Sequence, residues 1–346
     1  MGTDDRGGTM ARQQSTAGQR VDVLPAADAH LAALAPPPAS LPRPEPPRGL
    51  PMAGRTVVVT GASSGIGAEA VRQVAALGAR IVALGRSPRR TLAIAAETGA
   101  TPIVADFARL ADVRAAAAQV AALCPRIDVL MNNAGGLYPH RVVTEDGNEL
   151  TFQVNHLAPF LLTGLLLPRL RESPGSRVVV TSSFMNLEGR IDLADLEADP
   201  AGVSRRHRPF VAYSTTKLAN ILFVKELARR SAAGGPTATA VHPGVVLSRF
   251  GQDHWLVRAF YRKPLLAFGA RTSASGALPL VEVATRPDPE TVNGTFRMRF
   301  HQGERLFSSR QAHDAALARG LWAYSCARVG LPVGAATPTR PGAMSR

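Results

Sequence analysis

A single α/β domain built on a doubly wound parallel sheet is what this 346-residue sequence predicts. Three observations carry the prediction. A β-branched run, "RTVVVT", opens directly into a glycine-rich turn and then a helical stretch. Later apolar runs are continuous rather than alternating, as in strands covered on both faces. Strand-like and helix-like segments also alternate from about residue 51 to 335, the order of a parallel sheet with helices on either side.

The elements follow in chain order. "APPPASLPRPEPPRGLP" (Ala35–Pro51) holds eight prolines. Each lacks an N–H and fixes φ, so neither helix nor sheet forms there. Residues 1–50 are expected to be a disordered tail, or to precede a true start at Met52; residues 336–346 read as a second flexible tail. After Gly54 come a strand, the turn "GASSGIG", the helix "AEAVRQVAALGA" and a second strand at Arg80–Arg86, a βαβ unit. Further strands are expected at Pro102–Asp106, Val129–Asn133, Arg177–Ser183 and Thr237–His242, with Gly294–Met298 a weaker addition. Helices are expected at roughly 109–123, 149–170, 213–232, 272–285 and 310–328. The sum is a Rossmann-type sheet of about seven strands.

Composition excludes several alternatives. Cys124 and Cys326 lie far apart with no CxxC or Cys/His spacing. That argues against a disulfide framework or metal site and for a reducing compartment, the cytoplasm. No run reaches the roughly 18–20 apolar residues of a membrane span, so no transmembrane segment is expected. The N-terminus lacks a basic region followed by an apolar core. The net charge is +14, yet residues 1–50 carry five arginines against five acids, so the excess lies in the folded part. It is densest at "SRRHR" (Ser204–Arg208). Spread arginines read first as solvated surface; the competing readings are an anionic ligand, a membrane surface or nucleic acid. No recognisable nucleic-acid motif is present, and no nucleic-acid partner is expected.

Five segments carry chemistry. In "TGASSGIG" (Thr60–Gly67), Gly61 permits a tight turn, Gly65 lets the backbone approach a pyrophosphate, and Gly67 lets the following helix sit close to the sheet. That helix start presents free N–H groups to phosphates, which makes Gly61, Ser63, Ser64, Gly65, Ile66 and Gly67 candidate cofactor-binding residues. A purely structural turn is the plainer reading; the strand before and the helix after favour the functional one. The second strand ends in "ALGRSPRR", without the carboxylate that would hold the ribose hydroxyls of NAD. Arg86, with Arg89 and Arg90 near it, would pair with a 2′-phosphate, so NADP(H) is preferred over NAD(H) unless these are ordinary surface arginines. Asp106 ends the third strand, where it could accept from an adenine amino group, cap the next helix, or both. In "MNNAGG" (Met131–Gly136) small residues leave room beside a cofactor, and Asn133 can tie the strand end down.

The fifth segment is the set Asn155, Ser183, Tyr213 and Lys217. Ser183 ends a strand, and alternation puts Ser182 on the opposite face. Tyr213 and Lys217 lie one helical turn apart on a shared face. A free tyrosine, with a pKa near 10, is a poor acid–base group at neutral pH; a nearby ammonium stabilises its phenolate. Such a tyrosine could exchange a proton with a carbonyl or alcohol oxygen. The plainer reading is a helix with an exposed lysine. Against it stands usage: the chain has 37 arginines and three lysines, Lys217, Lys225 and Lys263.

With its TGxxxGxG, NNAG and YxxxK segments in order, the chain resembles the short-chain dehydrogenase/reductase family over about 51–335. "NHLAPFLLTGLLLPRL", "YSTTKLANILF", "VHPGVVLS" and "ALARGLWAYS" are similar to the retinol dehydrogenase and WW-domain oxidoreductase branch. The resemblance implies an oxidoreductase with Tyr213 as general acid/base and Ser183 on the substrate oxygen. Lys217 would act on Tyr213 and, with it, bind the nicotinamide ribose. Asn155 would hold a relay water, and Ser248 would close over the nicotinamide where the family more often has threonine. It also implies a possible homodimer or homotetramer through helices 149–170 and 213–232. Two features depart from the pattern: the Ser183–Tyr213 gap of 30 residues exceeds that of most members, and the membrane anchor of many retinoid enzymes is not seen. "WLVRAFYRKPLLAFG" (Trp255–Gly269) reads as an apolar lid over a hydrophobic carbonyl or alcohol substrate, or as ordinary helix packing. A non-catalytic NADP(H)-binding regulator on the same fold is the alternative reading.

Overall fold

The computed structural model describes residues 22–23, 49–199, 206–231, 235–246, 271–298 and 304–334. Seven parallel strands form one sheet: β1 (Thr56–Thr60), β2 (Arg80–Gly85), β3 (Thr101–Val104), β4 (Val129–Asn132), β5 (Arg177–Thr181), β6 (Thr237–His242) and β7 (Thr295–Met298). Their order is β3-β2-β1-β4-β5-β6-β7. The direction of winding reverses between β1 and β4, which leaves a crevice at the carboxyl edge of the sheet. The expected fold class is the one observed.

Side-chain alternation explains why both sheet faces are apolar. Val57, Val59, Met131 and Val179 face one core, under α1 (Gly65–Ala76), α2 (Pro88–Thr98) and α6 (Ser273–Thr285). Val58, Leu130, Val178 and Val180 face the other, under α3 (Leu110–Leu123), α4 (Leu150–Arg171), α5 (Pro209–Arg230) and α7 (Ala315–Val329). Continuous valine runs serve both faces at once. At the other end of the strands Asp128 ties β1 and β4 to their neighbours. Its carboxylate accepts from Thr56 N–H (2.7 Å), Ser173 Oγ (2.7 Å) and Arg55 Nη1 (3.1 Å). Cys124 and Cys326 are both buried, and neither forms a disulfide.

Several elements differ from expectation. Helix α2 was not expected, although Ser87, Pro88 at the first turn and Gly99 in the left-handed conformation bound it in the usual way. Helix α5 starts at Pro209 rather than Tyr213, because proline has no N–H to lose at a helix start. The expected helix at 310–328 is split. Asp314 accepts from the Ala316 and Leu317 N–H groups and begins α7 afresh after a short turn at Arg310–His313. The long gap after β5 contains a tight turn at Phe184–Glu188 and a short helix at Leu193–Ala198. Within residues 1–50, Asp22–Val23 pairs in parallel with Val142–Val143.

Leu150–Arg171 is long and apolar enough to cross a membrane, but it is mostly buried inside the fold, the position of a core helix. Helix α7 of the same chain packs against the apolar faces of α4 and α5. The Trp322 ring lies 4.9 Å from Phe160 and 6.0 Å from Phe223. Arg230 stacks on Trp322 at 4.7 Å, and Arg328 Nε donates to Asn148 Oδ1 at 2.8 Å.

Asp128→Ala strands the buried Thr56 N–H and the Ser173 hydroxyl. We expect a loss of about 2–4 kcal/mol, read from urea unfolding midpoints at constant slope.

Candidate active site

The glycine turn between β1 and α1 is shaped by contacts that leave no room for a side chain. A Cβ on Gly67 would sit 2.2 Å from Gly61 O and 2.6 Å from Asn133 Nδ2. Gly61 has φ +68°, and a Cβ there would lie 2.9 Å from Ala134 Cα. Thr60 and Asn133 stitch the same place. Thr60 Oγ1 accepts from the N–H groups of Asn133 and Ala134 (3.0 Å each), and Asn133 Nδ2 donates to Thr60 O (3.2 Å). Ser63, Gly65 and Ile66 are half-buried and Ser64 is exposed, and the first turn of α1 has no acidic residue. A bare backbone cradle at a helix N-terminus, free of carboxylates, fits a pyrophosphate.

Arg86 is exposed just beyond β2. Its charge lies near the phenol of Tyr138, a residue the sequence reading did not single out. Burial pushes that phenol up to about 12, with Arg86 pulling the other way. The Tyr138 ring covers Gly136, whose added Cβ would sit 2.9 Å from it. Asp106 is half-buried beyond β3, and its Oδ1 accepts from Ala108 N–H at 3.0 Å. That bond turns the chain before α3 rather than capping the helix itself.

The four residues of the fifth segment converge at the carboxyl edge of the sheet. Lys217 is buried, and its Nζ donates to Thr181 O, the last residue of β5, at 3.0 Å. The same Nζ lies 5.2 Å from the centroid of the half-buried Tyr213 ring. Burial brings the ammonium down to about 8. Asn155 sits in a widened turn of α4, Gln153–Leu157, of the kind that often marks functional sites. Its Nδ2 donates to Gly136 O (2.8 Å) and Thr216 Oγ1 (3.1 Å), and its Oδ1 accepts from Gly136 N–H (2.8 Å). A Cβ on Gly135 would touch both Asn155 Oδ1 (3.1 Å) and Lys217 Nζ (3.6 Å), so the loop after β4, α4 and α5 meet at one point.

Ser183 is buried and accepts from Met185 N–H at 3.2 Å. The turn it begins is pressed on α5, where a Gly189 Cβ would lie 2.5 Å from Ser214 O. Ser182 points the other way, as alternation required, and donates to Lys217 O at 2.7 Å. His242 at the end of β6 was not foreseen. It is buried, its Nδ1 has no hydrogen-bond partner among the described residues, and its ring meets Phe184 edge-on at 5.3 Å. Burial, then the charges of Arg271 and Lys217, hold it near 4. Ser248 and the expected apolar lid at Trp255–Gly269 lie outside the described residues. Of the other two lysines, Lys225 pairs with Glu304 at 2.6 Å and Lys263 also lies outside the described residues.

The buried lysine makes stability depend on pH with a definite sign. The folded protein releases this proton near pH 8, the unfolded chain near 10.5. Between those values the unfolded state binds more protons, so the folded state gains as pH rises. Urea midpoints of the wild type should therefore rise relative to those of Lys217→Met between pH 8 and 10.5.

Residues 55–195 match the family model for short chain dehydrogenase. A Streptomyces sp. (strain C5) protein, named as a candidate daunorubicin C-13 ketoreductase, is 42% identical over 82% of this chain and 95% of its own. Human retinol dehydrogenase 14 is 37% identical over 81% of this chain and 88% of its own. The crystal structure of a short chain dehydrogenase from Burkholderia cenocepacia J2315 in complex with NADP superimposes with a TM-score of 0.55 at 26% identity, covering 71% of this chain and 96% of that one. With the glycine cradle and the buried YxxxK helix in place, and with relatives alike over nearly their whole length, the chain belongs to the short-chain dehydrogenase/reductase family of NAD(P)-dependent oxidoreductases.

Proposed function

We propose that the protein interconverts a hydrophobic carbonyl compound and its alcohol with NADP(H), using Tyr213 as general acid/base. The observation that carries this reading is the buried Lys217 ammonium, held between the Thr181 carbonyl and the Tyr213 ring at the edge of the crevice. Gly61, Ser63, Ser64, Gly65, Ile66 and Gly67 would hold the pyrophosphate, with Asp106 and Asn133 along the adenosine side and Tyr213 and Lys217 at the nicotinamide ribose. A bound nicotinamide supplies or accepts the hydride.

The chain's own residues handle the proton. Ser183 donates to the substrate oxygen and keeps it near the Tyr213 hydroxyl. In reduction Tyr213 gives its proton to that oxygen; in oxidation it takes one. Lys217 favours the phenolate left behind, at a distance where low local polarity strengthens the effect. Asn155 fixes Gly136 to Thr216 and so sets the depth of the crevice beside Lys217. The reading of an apolar substrate rests on "WLVRAFYRKPLLAFG" and on relatives named for daunorubicin and retinol. The preference for NADP(H) rests on Arg86, exposed where β2 ends with no carboxylate beside it.

A screen of NADPH oxidation over ketones and aldehydes, run beside NADH, tests the activity. Tyr213→Phe should keep NADPH binding, seen by cofactor fluorescence, and lose turnover by about 10²–10⁴-fold. Unchanged turnover would remove Tyr213 from the mechanism. Arg86→Ala should weaken NADPH by about 10–100-fold, the worth of a charge-assisted hydrogen bond, and leave NADH nearly unaffected.

A further inference from the structure

The densest run of positive charge in the sequence, Ser204–Arg208, has no part in the crevice. Its described members Arg206, His207 and Arg208 line a cavity of about 590 Å³ instead. That cavity lies between the start of α4, the start of α5 and the segment Arg190–Asp199 that follows β5. None of Asn155, Ser183, Tyr213 and Lys217 lines it. Helix geometry gives the reason. Val211 and Thr215 stand one turn apart on the cavity wall. Two residues along a helix turn it by about 200°. Tyr213 and Lys217, each two residues beyond one of that pair, therefore face the opposite side of α5.

Hydrogen bonds pin the walls. Thr215 Oγ1 accepts from Arg190 N–H at 3.4 Å and donates to Arg190 O at 3.1 Å. Gln311 Oε1 accepts from Ile191 N–H at 3.0 Å, and its Nε2 donates to Ile191 O at 2.8 Å. His207 Nε2 donates to Tyr138 O at 3.3 Å. Phe152, Ile191, Leu196 and Val211 supply an apolar floor.

The formal charges of the lining balance, four arginines against four carboxylates. Their hydrogen-bonding capacity does not. Glu149 accepts from Thr151 N–H at 3.0 Å, the Thr151 hydroxyl at 2.8 Å and Phe152 N–H at 2.9 Å. Asp192 accepts from Ala194 N–H at 3.0 Å, and Asp195 and Asp199 have partners of their own. Arg141 is buried and likewise engaged. The side chains of Arg190, Arg206 and Arg208 meet no carboxylate among the described residues, and each guanidinium carries five N–H donors. Helix α5 adds to the excess. It begins at this wall with no side-chain cap and no acid in its first turn, so the positive end of its dipole is uncompensated.

We propose that this cavity is a second binding site, for an amphipathic anion that carries a carboxylate on an apolar chain. The head group meets Arg190, Arg206 and Arg208, and the chain lies on Phe152, Ile191, Leu196 and Val211. Donors that lack acceptors call for an anion, and a planar guanidinium matches the two oxygens of a carboxylate. The floor beneath them offers carbon, which only an apolar chain covers favourably. The volume is that of a small-molecule site. The site is independent of the function proposed above and needs neither cofactor nor carbonyl substrate.

Calorimetric titration of the full-length protein with acetate, hexanoate, octanoate and decanoate tests the proposal. Affinity should rise about threefold for each methylene added. Decyltrimethylammonium, with the same chain and the opposite charge, should bind about tenfold more weakly than decanoate. In Arg206→Glu/Arg208→Glu the affinity for decanoate should fall by about tenfold or more, the loss of charge-assisted hydrogen bonds. Arg89→Glu/Arg90→Glu removes the same charge from α2, on the other side of the sheet, and should bind decanoate as the wild type does. All four arginines are exposed, so neither reversal disturbs the core. Equal affinity for acetate and decanoate overturns the proposal, as does the absence of decanoate binding. Decanoate binding that survives the Arg206/Arg208 reversal, or that falls equally in both reversals, also overturns it.

Discussion

The close approach of the glycine turn to the end of β4 is the constraint on which the rest of the site depends. Gly67 lies so near Gly61 O and Asn133 that a methyl group would overlap both. Only this contact brings the start of α1 over the sheet edge with its N–H groups uncovered. Thr60 and Asn133 hold the approach with four hydrogen bonds to one another, to Ala134 and to Thr181 Oγ1. Through Thr181 the stitching reaches β5, whose terminal carbonyl receives Lys217. The cofactor cradle and the seat of the lysine are thus built on one short run of backbone contacts.

Charge is used sparingly inside this frame. The one buried ammonium among the described residues meets a carbonyl dipole and an aromatic ring rather than a carboxylate. A carboxylate partner would hold the lysine fully charged but would also quench the field it exerts on Tyr213. A carbonyl orients it and leaves that field available. An arginine would bring a planar fork with five donors into a space that offers few acceptors. The chain uses arginine almost everywhere else, and the two described lysines differ in kind. Lys225 pairs with a carboxylate near the surface, as an arginine could, and Lys217 is buried against a carbonyl and a ring.

How much of this was legible in the sequence can be judged residue by residue. Gly61, Gly65 and Gly67 were readable because a turn between strand and helix has local geometry. Tyr213 and Lys217 were readable because four residues make one helical turn. Helix α2 also carried legible signals at Ser87, Pro88 and Gly99, yet the arginines of the same stretch drew the reading toward ligand binding. Tyr138, His242, Asn220 and His156 gave no such signal. A buried histidine in an apolar helix looks the same in sequence whether it orders an active site or fills a core. The group that His156 meets at Nε2, Ser325, lies 169 residues away.

The sequence by itself determined the α/β order, the parallel sheet, the glycine cradle and the pairing of tyrosine with lysine. Each of these depends on neighbours within a few residues and on the fixed periods of strand and helix. Tertiary structure alone decided what anchors the lysine and what covers α4 and α5. The anchor is a backbone carbonyl 36 residues away, which has no side-chain identity to read. The cover is a helix from the far end of the chain, whose aromatic and hydroxyl groups acquire partners only when the sheet has brought the two helices together.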